Sequence, residues 1–257
     1  LHQLISSQLD MDRLDYLRRD CFFTGVTEGN IGSARIIKML DVVDDQLVVE
    51  SKGIYSIENY LTSRRLMYWQ VYLHKTAVAA EKVLVNLLKR ASFLAQQGEN
   101  VFAPPQLRHF LYHHVDAEFF NQHEESLRCY EMLDDNDIWS SVKVWTEHPD
   151  KILSLLANDL VNRKTFKVEI YDEPLPPSRL EDFRKQLSSR FGVSEEEANY
   201  LMSWNVVQKD MYDINDDKIS ILYKDGTCKD IAEASDLLNI NLLSKKIRKY
   251  YLCYHRN

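Results

Sequence analysis

Apolar and polar positions along the chain follow two periods, and most of its length follows the helical one. Leu14, Leu17 and Cys21 share a stripe that predicts a helix over residues 5–21. Asp12, Tyr16 and Asp20 recur every four residues on a second stripe, with Arg13 beside them. Residues 25–32 read as a loop. Residues 36–43 and 46–56 predict a β-hairpin turning at Asp44 and Asp45. Ser56 reads as the N-cap of the longest helix, residues 57–97, whose apolar positions include Leu61, Leu73, Leu84, Leu87 and Leu94 and which Gly98 closes.

Pro104 and Pro105 open a helix to Phe120. Helices over 124–133, 137–145 and, after Pro149, 151–162 follow. Residues 166–171 alternate as a strand, and three prolines within 172–178 make a linker or sharp turn. Short helices over 180–191 and 194–201 precede strands over 206–212 and 219–223. Lys224, Asp225 and Gly226 form a turn, and residues 231–251 read as a closing helix. The pattern predicts a mainly α fold: a helical body over residues 1–165 with a β-hairpin insertion, and a smaller α+β region over residues 166–257.

Composition narrows this picture. With 257 residues and 45% hydrophobic content, the chain is long enough for one or two well-packed domains. Only 7 glycines and 6 prolines suit long helices better than many tight turns. A net charge of -7 argues against nucleic acid or an anionic membrane as a partner, though a local basic pocket is compatible with it. The four cysteines (21, 129, 228 and 253) are scattered without zinc-ligand spacing, which predicts reduced thiols and a cytoplasmic setting. No uninterrupted apolar run is long enough to span a bilayer, and no secretory signal is present. The chain opens on Leu1 with an informative helix almost at once, so it reads as starting inside a domain.

The chemistry concentrates in residues 9–21. Asp12, Arg13, Tyr16 and Asp20 place a carboxylate, a cation, a phenol and a second carboxylate on one ridge, a set suited to a metal ion and a phosphorylated ligand. Asp15 has helical spacing for an ion pair with Arg18 or Arg19. Arg64, Tyr68, Tyr72 and Lys75 keep helical spacing on the long helix, and Tyr68 reads as a core aromatic.

The order of residues in this segment resembles the last motif of the HD-domain phosphohydrolases, most closely the deoxynucleoside triphosphate triphosphohydrolases that include the SAM- and HD-domain enzyme of animals. The matching residues are Asp10, Met11, Asp12, Arg13, Leu14, Asp15 and Tyr16, then Arg19, Asp20 and Cys21. Further matches are Thr62-Ser63-Arg64, Tyr72-Leu73-His74-Lys75, Arg35 to Lys38, and Arg163 to Lys167, in the family's order and covering residues 1–170.

The resemblance implies an HD-like helical body and a metal-dependent hydrolase that releases nucleoside and triphosphate from deoxynucleoside triphosphates. It implies Asp12 as a ligand of a divalent metal ion (Mg, Mn, Fe, Ni or Zn). Arg13, Tyr16 and Arg64 would contact phosphate, Asp20 the sugar 3′-hydroxyl, and Tyr72 the deoxyribose. Arg35, His74, Lys75, Arg163 and Lys167 match positions that line regulatory nucleotide sites between subunits, and a homo-oligomer is expected. The family's metal site also needs a His, an adjacent His-Asp pair and catalytic His residues before the Asp12 helix. Only His2 precedes it here, and the chain contains no His-Asp dipeptide. The expectation is therefore a C-terminal fragment, inactive by itself, in preference to a degenerate member. Two other functions remain open: a non-catalytic nucleotide-binding or assembly module, and an HD phosphohydrolase with another phosphoester substrate.

Other polar groupings have simpler readings. His109 and His113 stand one helical turn apart without a completing acid or Cys, so they read as a helix rim. Glu195, Glu196 and Glu197 read as an exposed first helical turn. The basic run at residues 245–249 reads as a solvated helix face, and Trp139, Trp145 and Trp204 as core or interface residues.

Overall fold

The computed structural model describes residues 2–209, 212, 218–236 and 247–256. The protein is mainly α, with small sheets. The chain divides into two compact units, residues 1–74 with 207–248, and residues 75–206 with 249–257.

In the first unit a short helix, His2–Ile5, precedes the helix Met11–Thr24. The second helix starts later than the expected residue 5 because Asp10 caps it: its side chain accepts from the Arg13 amide at 2.7 Å. It ends at Gly25, whose φ of 72° allows the left-handed turn that returns its N–H to the Cys21 carbonyl. Leu14 and Leu17 face inward at 3% and 0% exposure, as the apolar stripe predicts. The hairpin forms over Leu40–Val43 and Gln46–Glu50, while residues 33–38, expected in part as strand, form the helix Ser33–Lys38. Asp44 and Asp45 take φ of 50° and 59°, the two successive positive values a tight two-residue hairpin turn requires. Gln46–Glu50 also pairs in parallel with Ser220–Leu222, which pairs antiparallel with Cys228–Asp230. Tyr212 anchors this return: its buried hydroxyl donates to Asp230 at 2.6 Å and accepts from the Ile219 amide at 3.0 Å.

The expected single helix over residues 57–97 is broken. It begins at Ile54, so Ser56 lies inside it, and the α-helix Ile54–Met67 passes into a π-helical turn, Tyr68–Tyr72. The Leu73 amide bonds the Tyr68 carbonyl five residues back at 2.7 Å, and a new helix, Lys75–Gln96, follows. Gly29 lets the preceding loop approach this element closely, since a Cβ there would meet the Met67 sulfur at 2.4 Å. Ile57, Tyr60, Leu61 and Met67 are fully buried against Leu17, Ile36 and Ile221.

In the second unit, Val83, Leu87, Ala91 and Leu94 give Lys75–Gln96 a continuous apolar stripe. The helices Pro105–Tyr112, Ala117–Gln122, Glu124–Met132, Asp135–Trp145 and Lys151–Val161 follow it, so the expected stretch from 105 to 120 is two short helices. Trp145 is fully buried and donates through Nε1 to the Phe102 carbonyl at 2.8 Å, whereas Trp139 is exposed. Arg90, at 5% exposure, bonds Asp150 at 3.1 and 2.5 Å and Glu197 at 3.0 Å. Glu197 thus closes a capping box with Ser194 and also neutralises a buried cation, a second role its acidic run did not suggest.

The strands Lys167–Tyr171, Ile247–Tyr254 and Met202–Lys209 form a three-stranded sheet in the order first, last, middle of the chain. The expected closing helix over 231–251 is overturned: Ile231–Ala234 is a single turn, and Ile247–Tyr254 is a strand paired antiparallel with Lys167–Tyr171. Its β-favouring tyrosines and this long-range ladder outweigh the local helical pattern. The part of that expectation over residues 237–246, and of the strand expected at 210–211, lies outside the described residues. No helix among the described residues is long and apolar enough to cross a membrane.

Candidate functional site

The ridge of the Met11–Thr24 helix meets the π-helical turn. The Tyr72 hydroxyl donates to Asp20 Oδ2 at 2.7 Å, and the Tyr72 ring packs edge-on against Tyr16, with centroids 5.9 Å apart, and against Tyr68 at 5.2 Å. The Arg64 guanidinium lies 5.9 Å from the centre of the Tyr68 ring, and Arg64 itself is buried. Arg65 is only half-buried. Four of the five residues expected at substrate (Tyr16, Asp20, Arg64 and Tyr72) are therefore neighbours.

Arg13 joins them electrostatically. Arg13 and Arg64 both act on the hydroxyls of Tyr16 and Tyr60, so both guanidiniums lie near the same phenols. Asp10 aims Arg13, accepting from its Nε at 3.0 Å as well as from its amide. Burial works against the Arg13 charge, but the bond to Asp10, the charge of Asp10 and the nearby Tyr60 and Tyr16 together outweigh it and raise the pKa.

Burial, then the Tyr68 hydroxyl, pushes the Tyr16 pKa up to about 12, against the pull of Arg64 and Arg13. Burial and the bond to Asp20 also raise Tyr72. Both phenols are therefore protonated at neutral pH and act as donors. Asp20 spends Oδ2 on Tyr72, and its Oδ1 has no bond among the described residues.

Asp12 sits in the first turn of its helix, where the dipole favours a carboxylate. It is exposed and makes no hydrogen bond or ion pair among the described residues. No group of three or more His, Cys, Asp or Glu able to hold a metal occurs among the described residues. Asp15 pairs with Arg19, one of the two partners its spacing offered.

The residues matched to regulatory positions are dispersed over both units. Arg35 donates to the Lys52 carbonyl at 3.3 Å, and His74 is exposed at the end of the π-helical turn. Lys75 opens the long helix of the second unit, Arg163 follows Lys151–Val161, and Lys167 pairs with Glu169 at 3.0 Å. Of the rim histidines, His109 Nε2 meets Ser126 Oγ at 2.9 Å and His113 Nδ1 meets the His109 carbonyl at 2.9 Å.

Two participants escape a sequence reading. Tyr68, expected as a core aromatic, contacts Tyr72 and Arg64, each four residues away at ordinary helical spacing. Tyr60 is fully buried with its hydroxyl donating to the Gln8 carbonyl at 2.6 Å, and only the fold reveals its proximity to the two arginines.

The chain belongs to the HD associated region family, which matches residues 31–196. A phosphohydrolase from Bacteroides thetaiotaomicron, known from its crystal structure, is similar over 99% of this chain and 63% of its own, at 61% identity and a TM-score of 0.93. The uncharacterised protein YwfO of Bacillus subtilis is 30% identical over 98% of this chain and 56% of its own length. A Dictyostelium discoideum deoxynucleoside triphosphate triphosphohydrolase, a SAMHD1 homolog, is 24% identical over 54% of this chain and 24% of its own. The chain thus spans 56% of the Bacillus relative and 63% of the Bacteroides structure. Together these likenesses support the HD phosphohydrolase superfamily and its mainly α body.

Proposed function

We propose that this chain is part of a metal-dependent phosphohydrolase of deoxynucleoside triphosphates, with nucleoside and triphosphate as products. The Tyr72–Asp20 hydrogen bond at 2.7 Å carries the reading. It fixes a short acid with one oxygen to spare beside an aromatic ring, an arrangement suited to a sugar hydroxyl and a ribose face without a 2′-substituent. Arg13 and Arg64 supply positive charge to the triphosphate, and the protonated Tyr16 donates to it without adding charge of its own. The Dictyostelium relative is named for this reaction and the Bacteroides relative as a phosphohydrolase, which supports the class of chemistry.

Asp12 is the residue this reading assigns to the metal. One carboxylate does not make a site, because hard divalent ions take about six oxygen ligands. The described residues do not gather the others, so they do not by themselves fit the ion. In this reading the remaining ligands belong to polypeptide outside the given sequence, and the work of this chain is to bind and orient the nucleotide. Homo-oligomerisation is part of the same proposal.

A second reading, a non-catalytic nucleotide-binding or assembly module, is favoured by the exposed Asp12 and the lack of a metal-donor cluster among the described residues. The experiment that separates them uses the whole protein, with any polypeptide beyond the given sequence. The enzymatic reading expects deoxynucleoside triphosphates with a divalent cation to yield inorganic triphosphate, and Asp12→Ala to abolish turnover. Turnover retained in Asp12→Ala removes Asp12 from the metal site. Orthophosphate as the product redirects the assignment to another phosphoester hydrolase. Deoxynucleotide stabilisation with no response to divalent cations supports the binding module.

A further inference from the structure

We infer that the outer edge of the strand Met202–Lys209 pairs antiparallel with the same strand of a second copy, joining two three-stranded sheets into one of six strands. The inference rests on the proposed homo-oligomer and names its surface. The strand stands last in its sheet, so one of its sides has no neighbouring strand among the described residues. The His255 amide bonds the Leu201 carbonyl at 2.9 Å, which turns the main chain at 201 toward the strand Ile247–Tyr254. Main-chain groups alternate in direction along a strand, so those of 202, 204 and 206 point outward. Asn86 agrees with this phase: it is buried, and its Nδ2 donates to the carbonyls of Tyr200 and Met202 at 2.9 and 3.0 Å. Its amide closes the start of the edge. Trp204 and Val206 carry the next outward groups, and the chain does not cover them: Val206 is 52% exposed.

The two edges of the sheet differ in chemistry. The far edge, Lys167–Tyr171, carries Lys167 and Glu169 and runs into Asp172, Glu173 and Pro174. Charges and proline of this kind keep an edge from pairing with another chain. Residues 202–207 are Met, Ser, Trp, Asn, Val and Val, without a charge or a proline. A cavity of about 400 Å³ beside Asn86, Met202, Ser203 and Trp204 leaves the flank of the strand open.

The strand complements itself. With a two-fold axis at Asn205, Trp204 of each copy lies opposite Val206 of the other, and each such pair exchanges both of its main-chain hydrogen bonds. Each also sets an aromatic side chain against a β-branched one, a favourable cross-strand combination. Stacking on Tyr250, with ring centroids 5.7 Å apart, already holds the Trp204 indole in place. No like charges meet across the axis. An unrelated extended peptide would gain the main-chain bonds without this side-chain match. The edge is smaller than a standard interface, so the association depends on concentration.

The test follows the mass of the whole protein, with any polypeptide beyond the given sequence, by light scattering over a dilution series. The expected result is a concentration-dependent dimerisation step that Val206→Asp weakens tenfold or more. Val206→Cys, with the exposed Cys228 replaced by Ser, reports the geometry. Diagonal neighbours across such a pair lie about 7–8 Å apart, so a thiol-specific reagent spanning about 10 Å should link two Val206→Cys chains. Ile170→Cys is the control: Ile170 is 47% exposed on the far edge, and across six strands its two copies lie about 24 Å apart, so it should stay unlinked. A monomer at every concentration removes both this surface and the homo-oligomer. An oligomer undiminished in Val206→Asp, with Val206→Cys linked no better than Ile170→Cys, removes this surface and leaves the homo-oligomer standing. Cross-linking decides where Val206→Asp fails to fold or where other surfaces also hold the oligomer together.

Discussion

Replacing Tyr72 with Phe isolates the contact on which the candidate site is built. The variant keeps the ring, and with it the edge-on packing against Tyr16 and Tyr68 at 5.9 and 5.2 Å, and deletes only the hydroxyl that donates to Asp20 at 2.7 Å. A hydrogen bond to a charged group contributes about 1.5–3 kcal/mol. Asp20 and Tyr72 are both half-buried, so water recovers part of that when the bond is removed. The expected destabilisation is about 1 kcal/mol, or roughly 0.3–0.5 M in the urea midpoint at a slope of about 2–3 kcal/mol/M. Both residues belong to the first unit, so the shift belongs to the transition that Trp69 reports. Asp20→Ala completes a double-mutant cycle, and its coupling with Tyr72→Phe should come to about 1 kcal/mol. Independent sites add to within about 0.5 kcal/mol, so a coupling below that value refutes the bond as an organising contact.

Other consequences follow from the same structure. Arg90→Met leaves Asp150 and Glu197 without their counterion in a buried setting; a loss of about 3–5 kcal/mol is expected, read as a fall of about 10 °C or more in thermal midpoint. Gly29→Ala forces the buried Met67 side chain to move and should cost about 1–3 kcal/mol in the same assay. Glu169 accepts from the Tyr171 and Tyr254 hydroxyls at 2.6 Å each, and with Lys167 they hold its pKa down to about 2. Its folded value lies below its unfolded one, so its stabilisation is complete above an unfolded carboxylate pKa of about 4.3 and is lost as pH falls toward 2. After discounting for solvent this amounts to about 1–2 kcal/mol, and urea titrations across that range should show a shallower acid limb in Glu169→Gln.

The elements legible in the sequence were those whose local pattern and tertiary surroundings agree. The hairpin was readable because Asp44 and Asp45 tolerate the positive φ its turn demands. The ridge of Tyr16 and Asp20 was readable because helical spacing is enough to group them. The break after Met67 was not readable, since no Gly or Pro marks residues 68–74 and a π-helical turn has no compositional signal. The closing strand was misread because a run of Lys, Arg and Tyr fits a helix locally, and only pairing with Lys167–Tyr171 decides otherwise. His255 was missed for a related reason: its partner Asp159 is remote in sequence, and the fold alone brings the two together.

The claim that Asp20, Tyr72, Arg13 and Arg64 receive a deoxynucleotide is tested most directly by comparing the affinities of the protein for dATP and ATP by fluorescence titration. Preference for the deoxy form by tenfold or more, reduced by Tyr72→Ala and by Asp20→Asn, is the predicted result. Equal affinity for the two nucleotides, or a preference untouched by either substitution, contradicts it.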